Sequence, residues 1–249
     1  MYNLSFIAES DFEKIVLETI DVYNRTLSNI NLEQFNSNII DPIKFLFDKE
    51  ICHNNYETVI NFEIARQKDK THSNAIGYFH QNMFKYIQCC EVPEHGWDVI
   101  VDKSKYKICV EMKNKHNTMN SSSAQRTYIK MLDHILNNKR DYCYLVEVIS
   151  TRSQNVEWQS SVDGRRIQNK RLRKVSIDQF YKEVTGVDDA FYQLCMQLPV
   201  TIKKLITNNN SIYIQNNNLL NEIKKIHPNY LYAFYLMAFK SYEGFDKIK

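Results

Sequence analysis

Two short apolar alternations, Trp97–Val101 and Ile108–Met112, flank the polar run Asp102-Lys103-Ser104-Lys105, and no other part of the chain constrains its fold more tightly. Alternation on both sides of a segment with turn chemistry predicts a β-hairpin over residues 97–113. Ser122 and Gln125 then have the spacing of a capping box, which predicts a helix ending near Asn138. From Tyr142 to Ser150 β-branched and aromatic residues alternate, predicting a third strand beside the one that carries Glu111. A strand, a helix and a strand in succession form a right-handed crossover. The predicted class is therefore α/β.

The flanks read as helices. Ser10 and Glu13 form another capping-box pattern, and Phe12, Ile15, Val16, Thr19, Val22 and Tyr23 recur at helical spacing, predicting a helix over about 11–28. Two more helices are predicted over Tyr56–Arg66 and Ser73–Ile87, and residues 114–121 as a polar loop. Residues 151–175 are polar and basic and read as irregular, and after Ser176 the pattern is helical, with Asn208–Asn210 and Asn216–Asn218 as loops or caps. A chain of 249 residues can bury one sizeable core. The expected organisation is a single domain over 1–249, with a core at about 70–200 and helical flanks at 1–69 and 200–249.

Bulk composition narrows the class without naming a partner. A net charge of +3 with 24% charged residues is ordinary for a soluble protein, so any affinity for nucleic acid must come from local clustering of charge. The six cysteines show no C-x-x-C spacing, and several lie in apolar runs, which predicts buried reduced thiols. A zinc site from Cys89, Cys90 and His95 would lack a fourth ligand. His72, His80 and His134 sit in helical patterns and read as core or surface residues. Glu9 and Asp11 interrupt any secretory signature, and the apolar run Tyr230–Phe239 is about half of the ~20 residues that a membrane span needs. A cytoplasmic protein with no membrane contact is expected.

Chemistry concentrates on the hairpin. Asp98 precedes Glu111 by thirteen positions, and Lys113 follows Glu111 by two. On a strand i and i+2 share a face, so Glu111 and Lys113 project together, and the hairpin brings Asp98 back beside them. Two carboxylates and an amine at a strand edge suit a divalent cation and a polarised water, as in a metal-dependent nuclease. Hard oxygen donors favour Mg²⁺, with Mn²⁺ as a substitute, over zinc.

This pattern resembles the PD-(D/E)xK nuclease superfamily, with Trp97 standing where the loose motif often has proline. The resemblance implies a restriction-endonuclease-like core, a central mixed sheet flanked by helices. It also implies that Asp98 and Glu111 are metal ligands, with the Met112 carbonyl as a further one, and that Lys113 orients or activates the attacking water. The unusual run Glu111-Met112-Lys113-Asn114-Lys115-His116-Asn117-Thr118-Met119-Asn120-Ser121-Ser122-Ser123 is similar to a stretch of type II restriction endonucleases that cut at GGNCC. The similarity extends from about Lys70 to Pro199, including Asn74–Gln81 and Ser176–Tyr181. It implies cleavage of double-stranded DNA leaving a short 5′ overhang, a two-fold homodimer for a palindromic target, and a separate protecting methyltransferase in the host.

Several residues are candidates for DNA contact. His116, Asn117, Asn120 and Gln125 follow the catalytic strand and surround a predicted helix N-terminus, either as a phosphate cradle or as loop-stabilising turns and a cap. Arg165, Arg166, Lys170, Arg171 and Arg173, with Lys174, form the densest basic cluster, open to phosphate contact, guanine readout or simple solvation. Family members often carry an additional acid on an earlier helix, for which Glu63 and Glu57 are candidates, although a solvated helix face explains both. Another nuclease of the superfamily, acting in repair or on branched DNA, and a non-catalytic DNA-binding module are the competing functions.

Overall fold

A computed structural model describes residues 2–27, 41–53, 55–162, 164–206, 225–229, 232, 235, 236 and 239–248. The chain forms two compact units, one of residues 14–80 and the other of residues 1–13 with 81–249. The helices are α1 (Glu9–Leu27), α2 (Pro42–Ile51), α3 (Tyr56–Met83), α4 (Ser121–Asn137), α5 (Ile177–Thr185) and α6 (Ala190–Leu205). The strands are β1 (Cys90–Glu91), β2 (Val99–Asp102), β3 (Lys107–Lys115), β4 (Tyr142–Ile149), β5 (Asn155–Val162) and β6 (Arg165–Ser176).

The six strands form one mixed sheet in the order β1-β2-β3-β4-β6-β5. The hairpin over 97–113 is present as antiparallel β2 and β3, and β4 joins β3 in parallel through α4, as the crossover requires. Helix α4 covers one face of the sheet. Its buried Tyr128, Met131 and Ile135 pack on Cys109, Cys143, Leu145, Trp158 and Leu172, which come from four different strands. Near α5, Phe84 lies 4.9 Å from both Phe180 and Tyr181, ring centre to ring centre. The Tyr242 hydroxyl accepts a hydrogen bond from Ser150 N (2.7 Å) and donates one to Val148 O (3.1 Å), which ties the C-terminal segment to the end of β4.

Several local expectations are corrected. Residues 151–175 are not irregular, because β5 and β6 make an antiparallel hairpin there with a register shift between Glu157 and Gln159. That shift breaks the simple alternation, and much of the tip is exposed, so among the described residues of the hairpin the buried apolar side chains are Trp158, Leu172 and Val175. The expected break between two helices near residues 67–72 is absent, since α3 runs unbroken through that polar stretch. Neither capping box starts its helix where expected. Helix α1 begins at Glu9, with Phe12 N bonded to Ala8 O, and α4 is capped by Asn120, whose side chain accepts from Ser123 N at 2.8 Å. The asparagine runs 208–210 and 216–218 lie outside the described residues. Among the described residues, no helix is long and apolar enough to cross a membrane.

Candidate active site

Register fixes the centre of the site. Val99 pairs with Val110 in the β2–β3 ladder, and Asp98 N donates to Val110 O (3.0 Å), which holds Asp98 at the end of that ladder beside Glu111. Asp98 Oδ2 accepts from Met112 N at 2.7 Å, and its backbone carbonyl accepts from Gln81 Nε2 at 3.0 Å. Lys113 Nζ lies 2.8 Å from Glu111 Oε1. The three residues singled out by the motif therefore converge on one patch.

A second lysine completes that patch. Lys130, on α4, donates to Glu111 Oε2 (3.0 Å) and to Gly96 O (2.6 Å), and its ammonium stands 4.3 Å above the Trp97 ring. Gly96 has φ +98°, a conformation that L side chains rarely adopt, and it aims its carbonyl at Lys130. Trp97, at the position where the motif often has proline, thus supports this lysine. The sequence offered no signal for Lys130, because only the crossover helix brings position 130 over position 111.

The two carboxyls are pushed in opposite directions. Burial, then the nearby charge of Glu111, raises Asp98 above its usual value, against the hydrogen bond from Met112. Burial also raises Glu111, but the bonds and charges of Lys113 and Lys130 outweigh it and hold that carboxyl below its usual value. A raised folded-state value means that the contribution of Asp98 to stability is present at low pH and lost as pH rises through it. The contribution of Glu111 is present above its unfolded value and lost as pH falls through its folded value. In metal-free protein at neutral pH, Asp98→Asn is therefore expected to raise the melting temperature and Glu111→Gln to lower it. Both differences should shrink toward about pH 4, and thermal melts across pH would read them. Shifts of equal sign would contradict this electrostatic picture.

The site fits a hard divalent cation. Among the described residues the only hydrogen bond to the Asp98 carboxylate goes to Oδ2, which leaves Oδ1 for a ligand, and a cation would relieve the repulsion between the two acids. Glu111, gripped by two ammonium groups, would exchange one of those contacts for the metal.

Beside this patch lies an acid that the sequence reading passed over. Glu147 pairs in register with Lys113 and is only 1% exposed. Its Oε2 accepts from Ser150 Oγ (3.0 Å), and Lys174 Nζ comes within 2.8 Å of Oε1. That approach is off the hydrogen-bonding direction, so the contact is ionic rather than directional. A lone acid inside the apolar run Tyr142–Ile149 was the available signal.

The candidates for DNA contact are divided between two places. His116, Asn117, Asn120 and Gln125 lie in the turn after β3 and the first turn of α4, with His116 N bonded to Ile149 O (3.0 Å) and Asn120 acting as the cap. Arg165, Arg166 and Lys170 are exposed on the β5–β6 hairpin, with Arg166 bonded to Gln159. Arg171 donates to the carbonyls of Ile135, Asn138 and Asp141, so its guanidinium finishes the C-terminal end of α4. Arg173 holds the Asn155 side chain and carbonyl. Glu63, in the unit of residues 14–80, is held by Arg66 and Gln67, and the Glu57 side chain lies outside the described residues. His80 is buried, which brings its imidazole down to about 4 and keeps it neutral, in keeping with a core histidine.

Comparison with known proteins gives concordant matches. The family model described as Eco47II restriction endonuclease matches residues 4–207. The type II restriction enzyme Sau96I of Staphylococcus aureus is 32% identical over 207 residues, covering 80% of this chain and 79% of that enzyme. The type II restriction enzyme Eco47II of Escherichia coli is 29% identical over 214 residues, covering 82% of this chain and 88% of its own length.

Proposed function

The chain belongs to the Eco47II restriction endonuclease family of site-specific deoxyribonucleases, and on that premise we propose that Asp98, Glu111 and Lys113 form its Mg²⁺-dependent catalytic centre. The observation that carries this is the convergence of the three side chains, with the Asp98 carboxylate 2.7 Å from Met112 N and Lys113 2.8 Å from the Glu111 carboxylate. Asp98 and Glu111 would hold the cation, with Mn²⁺ able to replace Mg²⁺ and the Met112 carbonyl as a further ligand. The bound cation supplies a water of lowered pKa and neutralises charge on the phosphate oxygens. Lys113 Nζ would hold the attacking water in line with phosphorus, and its charge would favour the transition state over the substrate. Lys130, fixed by Gly96 O and the Trp97 ring, balances the charge of Glu111 until the cation binds.

The substrate is double-stranded DNA, and GGNCC is the target we propose, from the similarity of the run 111–123 to enzymes that cut there. His116, Asn117, Asn120 and Gln125 stand next to the catalytic strand, where backbone phosphates would pass, while Arg165, Arg166 and Lys170 offer charge from the sheet's far hairpin, with Arg171 and Arg173 shaping its base. A homodimer would present one centre to each strand, working in the cytoplasm beside a cognate methyltransferase.

A duplex with one GGNCC site, assayed in single turnover with Mg²⁺, Mn²⁺ or a chelator, tests this reading. Cleavage at that site with a 5′ overhang, in either metal and not in chelator, is expected. Cutting that persists in chelator would sink the metal role, and cutting only elsewhere would sink the site.

A further inference from the structure

One pleat below Glu111, on the same face of β3, Cys109 meets His134 and Asp141. Cys109 Sγ is 3.3 Å from His134 Nε2, and His134 Nε2 is 3.1 Å from Asp141 Oδ2. The three ligand atoms all lie within 4.8 Å of one another. Cys143 pairs in register with Cys109 on the neighbouring parallel strand, and its thiol donates to Met131 O at 3.7 Å. We propose that Cys109, His134 and Asp141 form a structural zinc site that pins α4 to the sheet.

The geometry favours a metal over a hydrogen-bonded relay. A Cys–His–Asp relay uses both imidazole nitrogens, one toward sulfur and the other toward the carboxylate. Here both contacts fall on the single atom Nε2, which carries at most one proton, so one of the two lacks its hydrogen whichever tautomer is present. A cation between the three atoms satisfies all of them. The separations of 3.1 and 3.3 Å fall about 0.2 Å short of the edges of a tetrahedron with bonds of about 2.0 Å to nitrogen or oxygen and 2.3 Å to sulfur, a gap that a small shift of the side chains closes. A thiol, an imidazole and a carboxylate are borderline-soft donors that suit zinc and not magnesium, so the site differs in chemistry from the Asp98–Glu111 pair.

The surroundings are those of a structural site. Asp141 Oδ1 accepts from Lys107 N at 3.0 Å, which orients the carboxylate. The Trp97 ring meets the His134 ring edge-on at 5.4 Å, and both cysteines are buried. His134 lies one helical turn beyond Lys130, so the metal would fix the part of α4 that sets Lys130 on Glu111.

The test is metal analysis of full-length protein produced with zinc and then desalted, together with the absorption spectrum after cobalt replacement. We expect about one zinc per chain and intense bands of tetrahedral, thiolate-ligated cobalt. Cys109→Ala and His134→Ala should retain less than about a tenth of the wild-type zinc, whereas Glu111→Gln should retain it in full. If those two variants do not fold, the wild-type zinc content and cobalt spectrum decide alone. Folded wild-type protein without zinc and without a thiolate–cobalt band would overturn the proposal. So would zinc lost from Glu111→Gln and kept by Cys109→Ala.

Discussion

Replacing Lys113 by alanine is expected to slow single-turnover DNA cleavage about 10²–10⁴-fold, the range for removal of a positioned proton-transfer group, while DNA affinity changes less than about tenfold. The expectation rests on position. Lys113 leaves the same strand face as Glu111, two residues on, and its ammonium is already 2.8 Å from the carboxylate that would hold the metal. Lys130 contacts the other oxygen of the same carboxylate, yet it comes from the covering helix and is also bound to Gly96 O and the Trp97 ring. Lys130→Ala should therefore cost much less, on the order of tenfold, as a loss of positioning rather than of the reacting group. If Lys130→Ala were the more damaging change, the two lysines would have to exchange roles. A rate and an affinity measured on each variant separate these cases.

Removing the partner of the buried acid should have the largest effect on stability. Glu147 is 1% exposed, and the Lys174 ammonium is the cation at its carboxylate. Lys174→Met leaves that charge in the interior with the Ser150 hydroxyl, a situation that costs about 3–5 kcal/mol. Because Lys174 is itself partly exposed, the low end of that range applies, and the melting temperature should fall by roughly 6–12 °C. The double replacement Glu147→Leu with Lys174→Met removes both charges and should recover most of the loss. Had Lys174 served DNA as a member of the basic cluster, its loss would weaken binding and leave stability almost unchanged. Thermal melts of the two variants, set beside DNA titrations, distinguish those roles.

The β2–β3 hairpin was legible in the sequence because its signals are local. Alternation around a polar turn defines the hairpin, and a two-residue period fixes that Glu111 and Lys113 share a face. The parallel partner β4 was legible for a similar reason, its run Tyr142–Ile149 being apolar almost throughout. Contacts that arise only when distant segments meet were hidden. Lys130 reaches Glu111 across nineteen positions, and His134 reaches Cys109 across twenty-five. Nothing in the spacing of either pair resembles a site, because the crossover sets their distance and not the local period.

The basic cluster shows the opposite limit. As a run of letters, Arg165 to Lys174 reads as one charged patch. On a strand its members alternate between faces and take separate partners: Arg171 the carbonyls at the end of α4, Arg173 the Asn155 side chain, and Lys174 the Glu147 carboxylate. Charge density along the chain therefore overstated the charge available to a ligand. The β5–β6 hairpin itself was missed because its buried residues are few and a register shift disrupts their period.

The most direct test of the central claim is digestion of unmethylated phage DNA with Mg²⁺ by wild-type protein and by Lys113→Ala, with the fragment ends sequenced. Discrete fragments ending at GGNCC from the wild type, and none from the variant, are the predicted result. Wild-type fragmentation that survives unchanged in Lys113→Ala would contradict the assignment of the catalytic centre to the β2–β3 edge.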